Sequence, residues 1–102
     1  MNLISYIERQ ADWSAKTFGE GARTEGLCKH IESELAEIRA TPILEEWVDV
    51  MILALDGAWR SGHTAQEIVD ALERKQTVNF RRRWGPADTG GDEPTFHVKE
   101  TS

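Results

Sequence analysis

The chain is short of several things at once, and each shortage closes off a class of structure. A single cysteine, Cys28, leaves no partner for an internal disulfide, so a reducing cytoplasm is the expected setting. Cys28 has no recognisable catalytic partner either and reads as inert. The longest apolar run, Val50 to Leu55, covers six residues. A membrane span needs about 20, so no membrane partner is expected. The start, Met1-Asn2-Leu3-Ile4-Ser5, lacks the basic-then-apolar pattern of a secretory leader. Basic residues are outnumbered, 12 against 18 acidic, for a net charge of −6. That balance disfavours a binder of polymeric nucleic acid, which needs a positive footprint. There is no internal repeat, no strand-like alternation and no glycine-rich phosphate loop.

What is present suits one small globular domain. Hydrophobic residues make up 39% of the 102 positions, too many for a disordered chain. A domain of this length buries a modest core, and pairing with a second copy would help it. Charge is unevenly placed. Acids crowd from Glu32 to Asp56, while Arg74, Lys75, Arg81, Arg82 and Arg83 sit within ten positions. Metal-seeking and phosphate-seeking groups thus lie on different segments.

Periodicity predicts an all-α bundle of about four helices. The first runs from about Ser5 to Thr17, with Ile4, Ile7, Ala11, Ala15 and Phe18 on one face, and Gly19-Glu20-Gly21 stops it. The second spans about Glu25 to Arg39, with the stripe Leu27, Ile31, Leu35 and Ile38. Pro42 ends it and also suits the first position of the third helix, with Thr41 as the cap. The third helix, reaching Trp59 or Arg60, is apolar almost all round and is expected to be the most buried element. Gly62 closes it. Thr64-Ala65-Gln66-Glu67 reads as a capping box opening the fourth helix, with Ile68, Val69 and Leu72 inward. The helical domain is expected over 1–86, followed by a loop-like tail over 87–102 that is rich in glycine and proline.

Two acidic pairs carry the chemistry. Glu34 with Glu37, and Glu46 with Asp49, are each spaced i, i+3, which puts both carboxylates on one helix face. The midpoint of 37 and 46 falls between Thr41 and Pro42, and so does the midpoint of 34 and 49. A chain reversing there sets Glu37 level with Glu46 and Glu34 level with Asp49. Facing helices pack about 8–10 Å apart, close enough for the four side chains to converge. Asp49 is flanked by apolar residues, so burial is expected there, and a buried charge needs a partner. Clustered anions repel unless protonated or bound to a cation. All-oxygen ligation selects a hard ion, Mg²⁺ with Mn²⁺ as substitute, over zinc. Solvated acids are the plainer reading of a single such pair; two mirrored pairs favour a metal site.

Lys75, Asn79 and Arg82 follow at i, i+4, i+7, one face of a continued fourth helix. An ammonium, an amide and a guanidinium there suit phosphate oxygens and a sugar or base edge, while a solvated helix end is the alternative. Of the larger aromatics, Trp13, Trp47 and Trp59 read mainly as core. Phe18 and Trp84 are the better candidates for contact with a base. His30, one turn before Glu34, either touches the site and its substrate or serves as a hydrogen-bonded structural histidine. Asp56, two turns after Asp49, either joins the site or caps the helix end.

Glu34-Leu-Ala-Glu37 followed by Glu46-Trp-Val-Asp49 resembles the ExxE…ExxD signature of the MazG-like all-α nucleoside triphosphate pyrophosphohydrolases. Thr17-Phe18-Gly19, His30 to Ile38, Glu45 to Val50, Leu53 to Gly62, and Lys75 through Asn79 and Arg82 to Trp84 resemble one branch, the dATP/dGTP diphosphohydrolases of bacteria and phages. The resemblance covers most of positions 13 to 86. It implies a homodimer or homotetramer, metal ligation by Glu34, Glu37, Glu46 and Asp49, and substrate binding by Lys75, Asn79 and Arg82. The implied reaction takes a purine deoxynucleoside triphosphate, dATP or dGTP, to the monophosphate and pyrophosphate. Glu37 or Glu46 would orient or deprotonate the attacking water. One departure is Gly85-Pro86 after Trp84, where proline is expected directly. The competing expectations are a house-cleaning pyrophosphatase for damaged or pyrimidine nucleotides, a phage enzyme tuned to dGTP, and a non-enzymatic helical interaction module.

Overall fold

The computed structural model describes residues 1–86 and 91–98. Four helices follow in order: α1 (Leu3–Phe18), α2 (Thr24–Ala40), α3 (Leu44–Arg60) and α4 (Ala65–Arg81). No strand forms among the described residues. The fold is all-α. The chain divides into one compact unit over Met1–Asp70 and a second over Ala71–Ser102. No helix is long and apolar enough to cross a membrane.

Each helix starts and stops for a local reason. Asn2 caps α1 by accepting from the Ser5 amide at 3.2 Å, so the helix begins two residues before the expected Ser5. Gly19, with φ near +90°, takes the turn out of it and returns its N–H to the Ala15 carbonyl at 3.0 Å. The capping box forms as expected: Thr64 N–H donates to Glu67 Oε1 at 3.0 Å, and Glu67 N–H to Thr64 Oγ1 at 3.1 Å.

The turn at Pro42 is built differently from the sequence expectation. Thr41 does not cap α3. It ends α2 instead, in extended conformation with its N–H on the Glu37 carbonyl at 2.8 Å. Ile43 N–H then reaches back to the Thr41 carbonyl at 2.9 Å, closing a tight turn around Pro42. Ile43 becomes the N-cap of α3 with no side-chain cap bond. Glu45 and Glu46 in the first turn give that exposed N-terminus its electrostatic complement.

In the first unit α3 packs against both α2 and α1, so its central position holds. It is also, as expected, the helix with the fewest exposed positions, but its cover is one-sided. Leu44, Trp47 and Met51 are 72%, 56% and 56% exposed, and they follow one another at i, i+3, i+7 along a single face. Only the opposite face of α3 is covered by α1 and α2. Trp13 is likewise exposed rather than core, and Trp59 is intermediate. Leu72, expected inward, is 58% exposed. Apolar side chains below one-tenth exposure are Ile7 and Ile38 alone among the described residues.

Polar groups fill the interior that the apolar residues leave. Arg60 on α3 is buried with Asp56, Nε to Oδ2 at 3.0 Å. Its Nη1 donates to the carbonyls of Gly19 (2.7 Å) and Gly21 (3.0 Å), and Nη2 to the Ser14 carbonyl (3.2 Å) and hydroxyl (2.9 Å). All five guanidinium N–H donors are thereby engaged. Asp56 neither joins the acid cluster nor caps the helix; it also accepts from Trp59 Nε1 at 2.8 Å. Burial pushes the Asp56 carboxyl up. Hydrogen bonds from Ser14, Trp59 and Arg60, with the Arg60 charge, outweigh it and hold the group below its usual range.

Removing one member of such a pair strands the other. Arg60→Ala is expected to cost on the order of 3–5 kcal/mol, read as a lower midpoint in urea unfolding. Lys16→Ala, which breaks the exposed 3.0 Å pair with Asp12, should shift the same midpoint by no more than about 0.5 kcal/mol.

Candidate active site

The hairpin of α2 and α3 brings the acidic residues together. Carboxylate oxygens of Glu34, Glu46 and Asp49 lie within 4.8 Å of one another, a grouping able to hold a metal ion. Glu37, the fourth expected ligand, falls outside that grouping, though near enough to raise the carboxyls of both Glu34 and Glu46. Burial is deepest at Glu34, 9% exposed, the acid that helical spacing sets beside the apolar stripe of α2; Asp49, also expected to be buried, is less covered. The α2 stripe explains this: Glu34 lies between Ile31 and Ile38 on the face turned to α3.

Two oxygens of this cluster stand out. Glu34 Oε2 and Glu46 Oε2 are both buried, and neither has a hydrogen-bond partner. The other Glu34 oxygen meets His30 Nε2 at 3.4 Å, one turn earlier on α2. The electrostatic consequence is large. A hydrogen bond with Glu37 that requires a proton, then burial, then the charge of Glu37, raise the Glu34 carboxyl to about 7. Contact with Glu46 and the Asp49 charge add to it. Burial is the main cause that raises Glu46, with Glu37 and Asp49 adding to it, while a hydrogen bond with Glu34 opposes the shift. The cluster therefore holds protons at pH values where isolated carboxylates hold none.

Beside the acids lies a cleft of about 310 Å³, walled by α1, α2 and α3. That is the lower end of the usual range for small-molecule sites. Glu34, Asp49 and His30 border one part of it, and Trp13, Phe18 and Leu27 another. Trp13 and Phe18 meet edge to face at 5.4 Å between centroids. The Arg23 guanidinium sits 5.1 Å from the centre of the Phe18 ring. Arg23 escaped the sequence reading, although one signal was there: an arginine occupies the N-cap position of α2, where a small polar residue is customary.

The remaining candidates belong to the second unit. Lys75 and Asn79 lie on α4, and Arg82 continues its hydrogen bonding, donating to the Val78 carbonyl at 3.1 Å. Trp84 is fixed locally. Its indole N–H donates to the Asn79 carbonyl at 3.0 Å, and its ring meets His97 edge-on at 5.9 Å. The chain near Phe96 to Val98 returns alongside Arg83 to Gly85, with an isolated antiparallel bridge between Trp84 and His97. The tail expected over 87–102 thus carries ordered pairing within its described part, while 87–90 and 99–102 lie outside the described residues.

An all-helical chain with a carboxylate cluster at the mouth of a partly aromatic cleft has the makings of a small-molecule hydrolase. The chain belongs to the dATP/dGTP pyrophosphohydrolase family, whose model matches residues 6–102. It is therefore a hydrolase with a nucleotide substrate. No curated protein and no solved structure matches it.

The raised Glu34 carboxyl gives a testable stability profile. Its folded value of about 7 lies above the ordinary 4.5, so the folded chain binds this proton more tightly than the unfolded one. That contribution is complete below pH 4.5 and is lost as pH rises through 7. In chelator, the melting temperature of the wild type should fall relative to that of Glu34→Gln across this window. Parallel profiles would show that the carboxylates do not interact.

Proposed function

We propose that the chain is an Mg²⁺-dependent pyrophosphohydrolase that converts a purine deoxynucleoside triphosphate, dATP or dGTP, to the monophosphate and pyrophosphate. The observation that carries this reading is the grouping of Glu34, Glu46 and Asp49 carboxylates from two helices, in which two buried oxygens, Glu34 Oε2 and Glu46 Oε2, have no donor. A designed hydrogen-bond network would have supplied them with donors, as it does for Asp56. An all-oxygen set of clustered anions fits a hard divalent cation, Mg²⁺ or Mn²⁺. Glu34, Glu46 and Asp49, with Glu37 alongside, would hold it. Bound there, the ion would polarise the triphosphate and lower the pKa of a water for attack at the α-phosphorus.

The chain's own groups divide the rest of the work. Glu37, exposed and outside the close grouping of the other three acids, and Glu46 are assigned to orienting and deprotonating the water. His30 flanks the cluster and is assigned to substrate contact. Lys75, Asn79, Arg82 and Trp84 are assigned to substrate binding on residue chemistry: two cations and an amide for phosphate and sugar, and an indole for a base. The exposed stripe Leu44, Trp47 and Met51 suits burial against a second copy, in a homodimer or homotetramer.

Incubation with dATP, dGTP, dCTP and dTTP plus Mg²⁺, separating pyrophosphate from orthophosphate, tests the reaction directly. Pyrophosphate should appear from the purines first. Equal turnover of pyrimidines would point to a house-cleaning role instead, and orthophosphate release would exclude the proposed bond. Glu37→Gln and Asp49→Asn should each lower turnover by about 100-fold or more while circular dichroism keeps its helical signal. Light scattering should find an oligomer for the wild type and a monomer for Trp47→Glu/Met51→Glu; an unshifted mass removes this face from the assembly.

A further inference from the structure

Hydrogen-bond accounting around the cleft leaves an uneven result. Apart from the clustered acids, the side-chain acceptors that line the cleft are already engaged. Gln10 Oε1 accepts from the Tyr6 hydroxyl at 2.6 Å, and Gln10 Nε2 donates to the Ile52 carbonyl at 2.8 Å. Asp56 accepts from Trp59 and Arg60, and Ser14 Oγ accepts from Arg60. Two donors have no such commitment. Neither the Arg23 guanidinium nor the Trp13 indole N–H makes a hydrogen bond or ion pair among the described residues, and both line the cleft.

A cleft that is aromatic, apolar and rich in donors suits a flat ring whose exposed edge carries acceptors. We propose that this cleft seats the purine base, with Phe18 as its stacking face, and that Arg23 makes it selective for guanine over adenine. The inference rests on the acid cluster holding the triphosphate end of the same substrate. Guanine sets O6 and N7 side by side, matching the two-pronged guanidinium. Adenine puts its N6 amino group where guanine has O6, so a donor would meet a donor and lose its water without replacement. Pyrimidines lack the N7 acceptor altogether. The Arg60 bonds to Gly19 and Gly21 hold the segment between Phe18 and Arg23, so the stacking face and the reading group are set on one fixed strap.

The test compares dGTP, dITP and dATP, since dITP shares O6 and N7 with dGTP but lacks its amino group. In the wild type with Mg²⁺, kcat/KM for dGTP and dITP should exceed that for dATP by on the order of tenfold. Calorimetry with the α,β-imido analogues of dGTP and dATP should show the same order in binding. In Arg23→Ala the dGTP to dATP ratio should collapse to within about twofold, and in Arg23→Lys, which keeps charge but loses the fork, it should be intermediate. A ratio unchanged in Arg23→Ala overturns the assignment, as does a wild-type preference for dATP. Guanine-selective binding without pyrophosphate release from any nucleotide would sink the hydrolase reading and leave the base site standing. Turnover without base discrimination would do the reverse.

Discussion

The buried guanidinium of Arg60 is the interaction on which the first unit depends. Taking a charge out of water is costly, and the cost is recovered here through full use of the group's geometry. One edge meets the Asp56 carboxylate, and the rest meets Ser14, Gly19 and Gly21. A lysine offers three donors from one point and could not span these acceptors. The contact fixes α1 against α3 and holds the glycine segment that links α1 to α2. With so few apolar side chains fully buried, this polar set specifies which register α1 takes, a task that hydrophobic area alone does loosely.

The acid cluster shows the opposite electrostatic arrangement within the same small unit. Asp56 has a cation and three hydrogen-bond donors, and its carboxyl is held low. Glu34 has carboxylates for neighbours, and its carboxyl is held high. The difference follows from what α2 and α3 place opposite each other. Near the open end of the hairpin, α3 supplies Arg60; near the Pro42 turn it supplies Glu46 and Asp49. The fold thus solves the buried-charge problem completely at one end of the hairpin and leaves it open at the other, a contrast that often accompanies functional sites.

Much of this was legible in the sequence because it depends on period and symmetry. Helical spacing placed all four helices, and the mirrored positions of the two acidic pairs about Pro42 anticipated the approach of Glu34 to Glu46 and Asp49, though not Glu37's place outside that grouping. The capping box at Thr64 was readable because it is local. What was not readable depends on tertiary choices. Thr41 looked like a cap for α3, but its amide was already required to close α2, so the two helices competed for one residue. Asp56 and Arg60 are spaced i, i+4, a common surface pattern. Nothing nearby in sequence shows that Ser14, Gly19 and Gly21, some forty residues earlier, convert it into a buried hub. Arg23 was overlooked for the same reason, since its meaning comes from Phe18 and the cleft beneath it.

The apolar character of α3 illustrates how a correct pattern can support two structures. A helix hydrophobic on every side must be covered on every side, yet the first unit provides covering elements for one side only. Leu44, Trp47 and Met51 are therefore left without cover by the helices of the first unit. The acidic pair Glu46 and Asp49 is interleaved with those same residues on the same helix. At about 100° per residue the stripe and the acids fall on opposite sides of α3, so the acids meet α2 while the stripe is left outward. The apolar surplus and the acid cluster are thus the two sides of one helix: the side that carries the carboxylates is covered by α2, and the side that carries the stripe has no cover in the first unit.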